Sequence, residues 1–178
     1  MVWSSPKTWV AATQVTEGDI NAHLRDNLLE TMPAKATAAG SIFVATGLNQ
    51  IATRMPTVAT IATSQSTTST SFTNLTTVGP SITVTTGNQA LVMFSASVNN
   101  NGGNARATVV STPTWVDAVV QAWAIIGGTQ RTANAPFRGM GHKLFTDLVA
   151  GPNTFTVKYS TGAGTATFAD RSLVVIPL

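Results

Sequence analysis

Cysteine is missing from this 178-residue chain, and charge is scarce. The first absence excludes disulfides and thiolate metal sites. The second is sharper: Asp, Glu, Lys and Arg make up 10% of the residues, against about 25% in ordinary globular proteins. Ten basic and seven acidic side chains give a net charge of +3. No basic run accompanies it, so the pI near 9.8 reflects scattered solvated charges and does not point to a nucleic acid. No apolar run approaches the roughly 20 residues that span a bilayer. No apolar core of the signal-peptide kind follows Lys7. The chain is expected to be soluble, made in the cytosol, and without a membrane partner.

Catalytic signals are equally thin. There are two histidines and seven carboxylates, and a reaction centre needs several such groups to converge. His142 lies on a predicted strand with Asp147 five residues on, although a triad is defined in space rather than by spacing. No G-x-S-x-G elbow, P-loop or dinucleotide fingerprint occurs. Gly162-Ala163-Gly164 is too short for a phosphate cradle and reads as a turn. Two distant histidines do not make a transition-metal site. The expectation is a chain with no catalytic, cofactor-binding or metal-binding residues, and not an enzyme.

In place of charge stand Thr, Ser, Asn, Gly and Ala, which suit strands, turns and close subunit contacts. The length fits one domain, or one domain with an arm. Residues 1–39 read as that arm. Trp3 and Trp9 flank Ser4, Ser5 and Pro6, and each indole buries roughly 150–250 Å² when packed. Two readings stay open: the pair tucks under the chain's own first helix, or the arm docks on another subunit. Residues 16–32 are the one clear helix. Thr16 and Asp19 match a capping box with Asp in place of Glu or Gln. Glu17 and Asp19 suit the positive end of the helix dipole. Ile20, Leu24 and Leu28 recur every four residues as a narrow apolar stripe, and Pro33 ends the helix. His23 borders the stripe and reads as packing, with Asp19 as its candidate partner.

Residues 40–70 read as a shaft-like segment. A hairpin-like or threaded stretch over 40–54 leads into Thr- and Ser-rich residues 55–70, an extended linker or a strand lying against a neighbour. Residues 71–178 carry a steady β pattern. Ala90, Val92, Phe94, Ala96 and Val98 mark one face of a long strand, and 105–111 and 137–148 are further strands. Residues 116–126 fit both helical and strand spacing; their β-branched residues favour a strand.

Residues 153–178 organise the rest. Phe155, Val157 and Tyr159 alternate with Thr154, Thr156 and Lys158. Gly162 and Gly164 permit a turn into a final hairpin. Leu173, Val174, Val175 and Ile176 then run without a polar break. A strand apolar on both faces belongs inside a sandwich or between subunits. Asp170-Arg171 interrupts it. One reading is a bulge held by an Asp–Arg contact or by Arg171 bonding carbonyls. The other is an intersubunit salt bridge, which makes Asp170, Arg171 and Val175 candidate interface residues. About eight short strands with frequent turns predict a mainly β fold: an antiparallel jelly-roll-like β-sandwich with an N-terminal arm and one short α-helix.

Two regions resemble tailed-bacteriophage virion proteins. Thr8-Trp9, followed by Asp19-Ile20-Asn21-Ala22-His23-Leu24-Arg25-Asp26-Asn27-Leu28, is similar to the opening of phage tail-fibre and minor structural proteins. Gly40-Ser41-Ile42-Phe43-Val44-Ala45-Thr46-Gly47 with Arg54 is similar to strand-and-turn units near fibre shafts, with Ser41 where such units carry Asp. Gly151 to Tyr159, Gly164 to Arg171 and the closing Val175-Ile176-Pro177-Leu178 resemble the terminal β-domain of that class. The resemblance implies a homotrimeric virion subunit (tail fibre, head fibre, spike or capsid decoration) made in the host cytoplasm. Trp3, Trp9, Ile20, Leu24 and Leu28 would serve anchoring to other virion proteins and oligomerisation. A second reading is a receptor- or carbohydrate-binding tip that holds a host surface glycan. Trp115, Trp123, Tyr159 and the loop at 99–104 would form its platform.

Overall fold

The computed structural model describes residues 7–29, 31, 36, 38–48, 50–112 and 137–178. They fall into two units, Met1–Met55 and Pro56–Leu178. The division therefore lies inside the stretch read as a shaft, and each unit has its own logic.

In the first unit the helix starts where the capping box puts it. The Thr16 hydroxyl accepts from the Asp19 amide at 3.2 Å, and the Thr16 amide donates to the Asp19 carboxylate at 3.1 Å. The helix runs as α1 (Glu17–Ile20), a π turn (Asn21–Arg25) and α2 (Asp26–Leu29). A short antiparallel hairpin follows, β1 (Ile42–Gly47) with β2 (Gln50–Arg54), in the register Ile42 to Arg54. Among the described residues of this unit only Asn27 is buried.

The second unit is a sandwich. Its strands are β3 (Thr57–Ile61), β4 (Gln65–Thr67), β5 (Ser81–Thr86), β6 (Ala90–Asn100), β7 (Ala105–Thr112), β8 (Phe137–Phe145), β9 (Gly151–Thr161) and β10 (Ala166–Pro177). One sheet has the order β3-β10-β6-β8, with β4 also on the β10 edge; the other has β5-β9-β7. All pairings are antiparallel. From β5 to β7, and again from β8 to β10, each strand lies in the opposite sheet from the one before it. That interleaving is the connectivity of a jelly roll. The strands read at 116–126 lie outside the described residues.

Alternation explains the packing. Val92, Phe94, Ala96 and Val98 of β6 face Phe155, Val157 and Tyr159 of β9, and all are buried. Aromatic rings tie the sheets together. Phe145 meets Phe155 edge-on at 5.5 Å, and Tyr159 lies 4.7 Å from Phe168 and 6.2 Å from Phe94. Such pairs add to the burial itself.

Three expectations change. Of the two readings for residues 55–70, the strand is realised over 57–61 and 65–67, but against β10 of the same chain and not a neighbour. The last two strands are no hairpin: β9 pairs β5 and β7, while β10 pairs β3, β4 and β6. Each has one fully buried face, and these faces pack against each other across the sandwich rather than sharing an edge. Finally, β10 is central in its sheet but dry on one face only. Leu173 and Val175 are fully buried, whereas Val174 and Ile176 are half-buried on the outer face.

Candidate functional site

Two features stand out from the fold: an arm with an uncovered apolar stripe, and a buried cation without a carboxylate. In the arm, Ile20, Leu24 and Leu28 are 48%, 59% and 65% exposed. Trp9 approaches His23 edge-on, with centroids 6.4 Å apart, and is itself 48% exposed. The indole thus touches the chain's own helix but stays half open. Asp19 pairs with Lys7 and not with His23. That ammonium, with the Thr16 hydroxyl and amide, holds the Asp19 carboxyl down at about 2. Trp3 lies outside the described residues.

The cation is Arg171. It follows Asp170, whose backbone is left-handed at φ 47°, and the β10–β6 register shifts between Ala169 and Ser172. This is the predicted bulge, and Asp is among the residues that tolerate the conformation. Arg171 is completely buried. Its guanidinium donates to the carbonyls of Thr63 (3.2 Å), Thr77 (3.5 Å) and Gly79 (3.3 Å) and to the Gln65 side chain (3.2 Å). It also lies over the Tyr159 ring at 5.5 Å. Of the readings offered for this pair, Arg171 bonding carbonyls is the one realised. Four acceptors replace a counter-ion, and the fork pins residues 63–79 across the sheet.

Arg171 and Val175, fully buried within their own copy, have no surface to offer a partner subunit. Only Asp170 of that trio is exposed. Tyr159 is likewise removed from the receptor platform. It is fully buried, and its hydroxyl donates to the Gly79 carbonyl at 2.8 Å. Burial pushes its phenol up to about 12, against the lowering pull of Arg171. The alternating pattern carried this signal: Tyr159 stands in phase with Phe155 and Val157, the core-facing set. Trp115 and Trp123 lie outside the described residues. The neighbouring loop spends its amides internally. Asn100 accepts from the amides of Gly102 and Gly103, and Asn101 accepts from the amide of Thr165.

The outer faces of the two sheets also differ. On β5–β9 the hydroxyls pair across strands, Ser81 with Thr156 and Thr83 with Thr154, each at 2.8 Å. On the other sheet the outward positions include Val58, Met93, Leu144, Val174 and Met140, and Met140 is 78% exposed. His142 is exposed there, opposite Met93. Asp147 accepts instead from the Thr146 hydroxyl at 3.2 Å. Among the described residues, no group of three or more metal-ligating side chains occurs. No helix there is long and apolar enough to cross a membrane.

No family model matches the chain, and no curated protein matches it. Among solved structures it is similar to infectious bursal disease virus, Gx strain, with 16% identity over 74% of this chain and 37% of that one, TM-score 0.41. It is similar to the VP2 subviral particle of infectious bursal disease virus, with 15% identity over 76% of this chain and 37% of that one, TM-score 0.45. A family 35 carbohydrate-binding module from an environmental isolate shows 20% identity over 81% of this chain and 95% of that one, TM-score 0.33. This chain covers 37% of each of these two viral chains.

Proposed function

We propose that the chain is a non-enzymatic structural subunit of a tailed-bacteriophage particle, a small homotrimeric fibre, spike or decoration protein. Its sandwich projects and its N-terminal arm attaches. The observation that carries this reading is the division of labour between the units. Among its described residues, Pro56–Leu178 buries a core of its own, from Leu75 to Val175. Met1–Met55 buries no apolar side chain among its described residues and leaves Trp9, Ile20, Leu24 and Leu28 open. Apolar surface of that kind marks a contact yet to be made. The arm is also the segment whose residues, Trp9 through Leu28, resemble the opening of phage fibre proteins.

Gold-labelled antibody against the chain, imaged on purified particles, tests the assignment. Label at defined sites on the particle is the expected result; unlabelled particles from a host making the protein would refute it. A chain lacking residues 1–39 should leave the particle unlabelled. The receptor-binding alternative has lost Tyr159 to the core.

A further inference from the structure

We infer that the arm helix is a self-association seam in which Ile20, Leu24 and Leu28 of one copy pack against the same residues of its neighbours. Three observations lead there. The first is the missing core. A helix of this length is marginal alone in water, and so is a two-stranded hairpin. The described part of Met1–Met55 contains just these two elements and buries only Asn27. Among the described residues of the unit, nothing covers the stripe, which stays 48–65% exposed.

The second is the shape of the stripe. In a pure α-helix, residues four apart overshoot a full turn by about 40°. From Ile20 to Leu28 the stripe would then wind by about 80°. The π turn at Asn21–Arg25 holds more residues per turn and takes back part of that drift. The three side chains come closer to one line along the axis, the arrangement that a seam between nearly parallel helices requires.

The third is charge. Around a shared axis, each residue on the seam meets its own kind, so a charge there would face a like charge. The seam has none. Among the described residues, two ion pairs near the seam close within the copy: Lys7 with Asp19, and Arg25 with Asp26 at 2.8 Å. Glu17 accepts from Asn21 at 3.5 Å. The other flank holds His23 and Asn27, whose side-chain amide donates to the His23 carbonyl. A charged partner would find these ions already engaged. A second copy would find a neutral apolar strip matching its own.

The inference rests on the arm's assembly role but is tested apart from it. Sedimentation of the full chain at micromolar concentration reads it directly. The wild type is expected at three times the 18.5 kDa chain mass, and Leu24→Glu and Leu28→Glu at one. Leu24→Met should keep the wild-type mass. A wild type at single-chain mass, or glutamate variants that stay assembled, would overturn the seam. So would loss of the β circular-dichroism signal in both glutamate variants, because the arm would then be supporting the domain and not its copies. A multiple other than three upholds the seam and removes the trimer. A chain that assembles through this seam yet never appears on particles would end the virion reading and leave the seam standing.

Discussion

The described residues of Pro56–Leu178 close around a shared core; those of Met1–Met55 do not. Composition is only part of the contrast: Met1–Met55 carries 8 charged residues in 55 and Pro56–Leu178 carries 9 in 123, and both are rich in small polar residues. The rest is periodicity and reach. Strands of eleven and twelve residues, β9 and β10, carry alternation long enough for two sheets to seal Phe155, Val157, Tyr159, Phe168 and Leu173 between them. A stripe at every fourth position on one short helix meets no second layer among the described residues of its unit. Apolar side chains can complete a fold or wait for a partner, depending on whether the chain brings a facing surface.

The strongest test places one carboxylate in each setting. Val175→Asp puts an uncompensated charge where exposure is zero. It should cost more than about 4 kcal/mol, enough to unfold the domain or leave it insoluble. Leu24→Asp adds the same charge at a position 59% exposed. It should change the stability of an isolated copy by less than about 0.5 kcal/mol. Urea unfolding followed by circular dichroism measures both. Comparable losses at the two sites would erase the distinction between the units.

Next comes the buried cation. Arg171→Met removes a fork that four acceptors require. The stranded carbonyls of Thr63 and Thr77 should cost about 2–4 kcal/mol, while the Gly79 carbonyl keeps its bond from Tyr159. Arg171→Lys should recover only part, because one ammonium cannot span the same fork. If the methionine variant unfolds at the wild-type urea midpoint, the guanidinium is not holding residues 63–79.

Tyr159, beneath Arg171, supplies a pH test of the closed unit. Burial raises its phenol from 10.0 to about 12. Below pH 10 both folded and unfolded chains keep the proton. Between about 10 and 12 only the unfolded chain releases it, so stability falls as pH rises through that window, by on the order of 2–3 kcal/mol. The chain has one tyrosine, so phenolate absorbance follows it directly. Ionisation near pH 10 without unfolding would place the ring at the surface.

How far the fold could be read beforehand follows from the same contrast. The capping box at Thr16 and Asp19 is a local motif, and it stands as read. The period-two faces of β6 and β9 were legible because each strand carries its own alternation. Strand partnership was not. Gly162 and Gly164 announce a turn, but nothing local says whether the chain returns to the same sheet or crosses to the other. The Thr-rich residues 57–67 looked too small to build a core, and they do not; they hydrogen-bond the edge of β10 instead, a role that needs backbone more than side chain. The fate of Arg171 was open because its acceptors lie about 90 to 110 positions away in the chain. Tyr159 was the avoidable misplacement, since its phase with Phe155 already pointed inward.

The mildest expected effect belongs to the open unit. Lys7, then Thr16, lowers the Asp19 carboxyl from 3.8 to about 2. A lowered carboxyl stabilises the fold while ionised, so this contribution is present above pH 3.8 and is lost as pH falls toward 2. Acid should therefore loosen residues 17–29 first, by releasing both the Lys7 pair and the helix cap. Thr16→Ala removes the hydroxyl half of that cap at any pH, at about 1 kcal/mol of helix stability. Amide exchange resolved by residue separates the two units. Protection at the start of the helix should fall between pH 4 and pH 2 in the wild type, and Asp19→Asn should remove most of that pH dependence. An equal loss at Val157 and Leu173 over the same range would mean that the arm and the sandwich yield together, and the open unit would then be energetically part of the closed one.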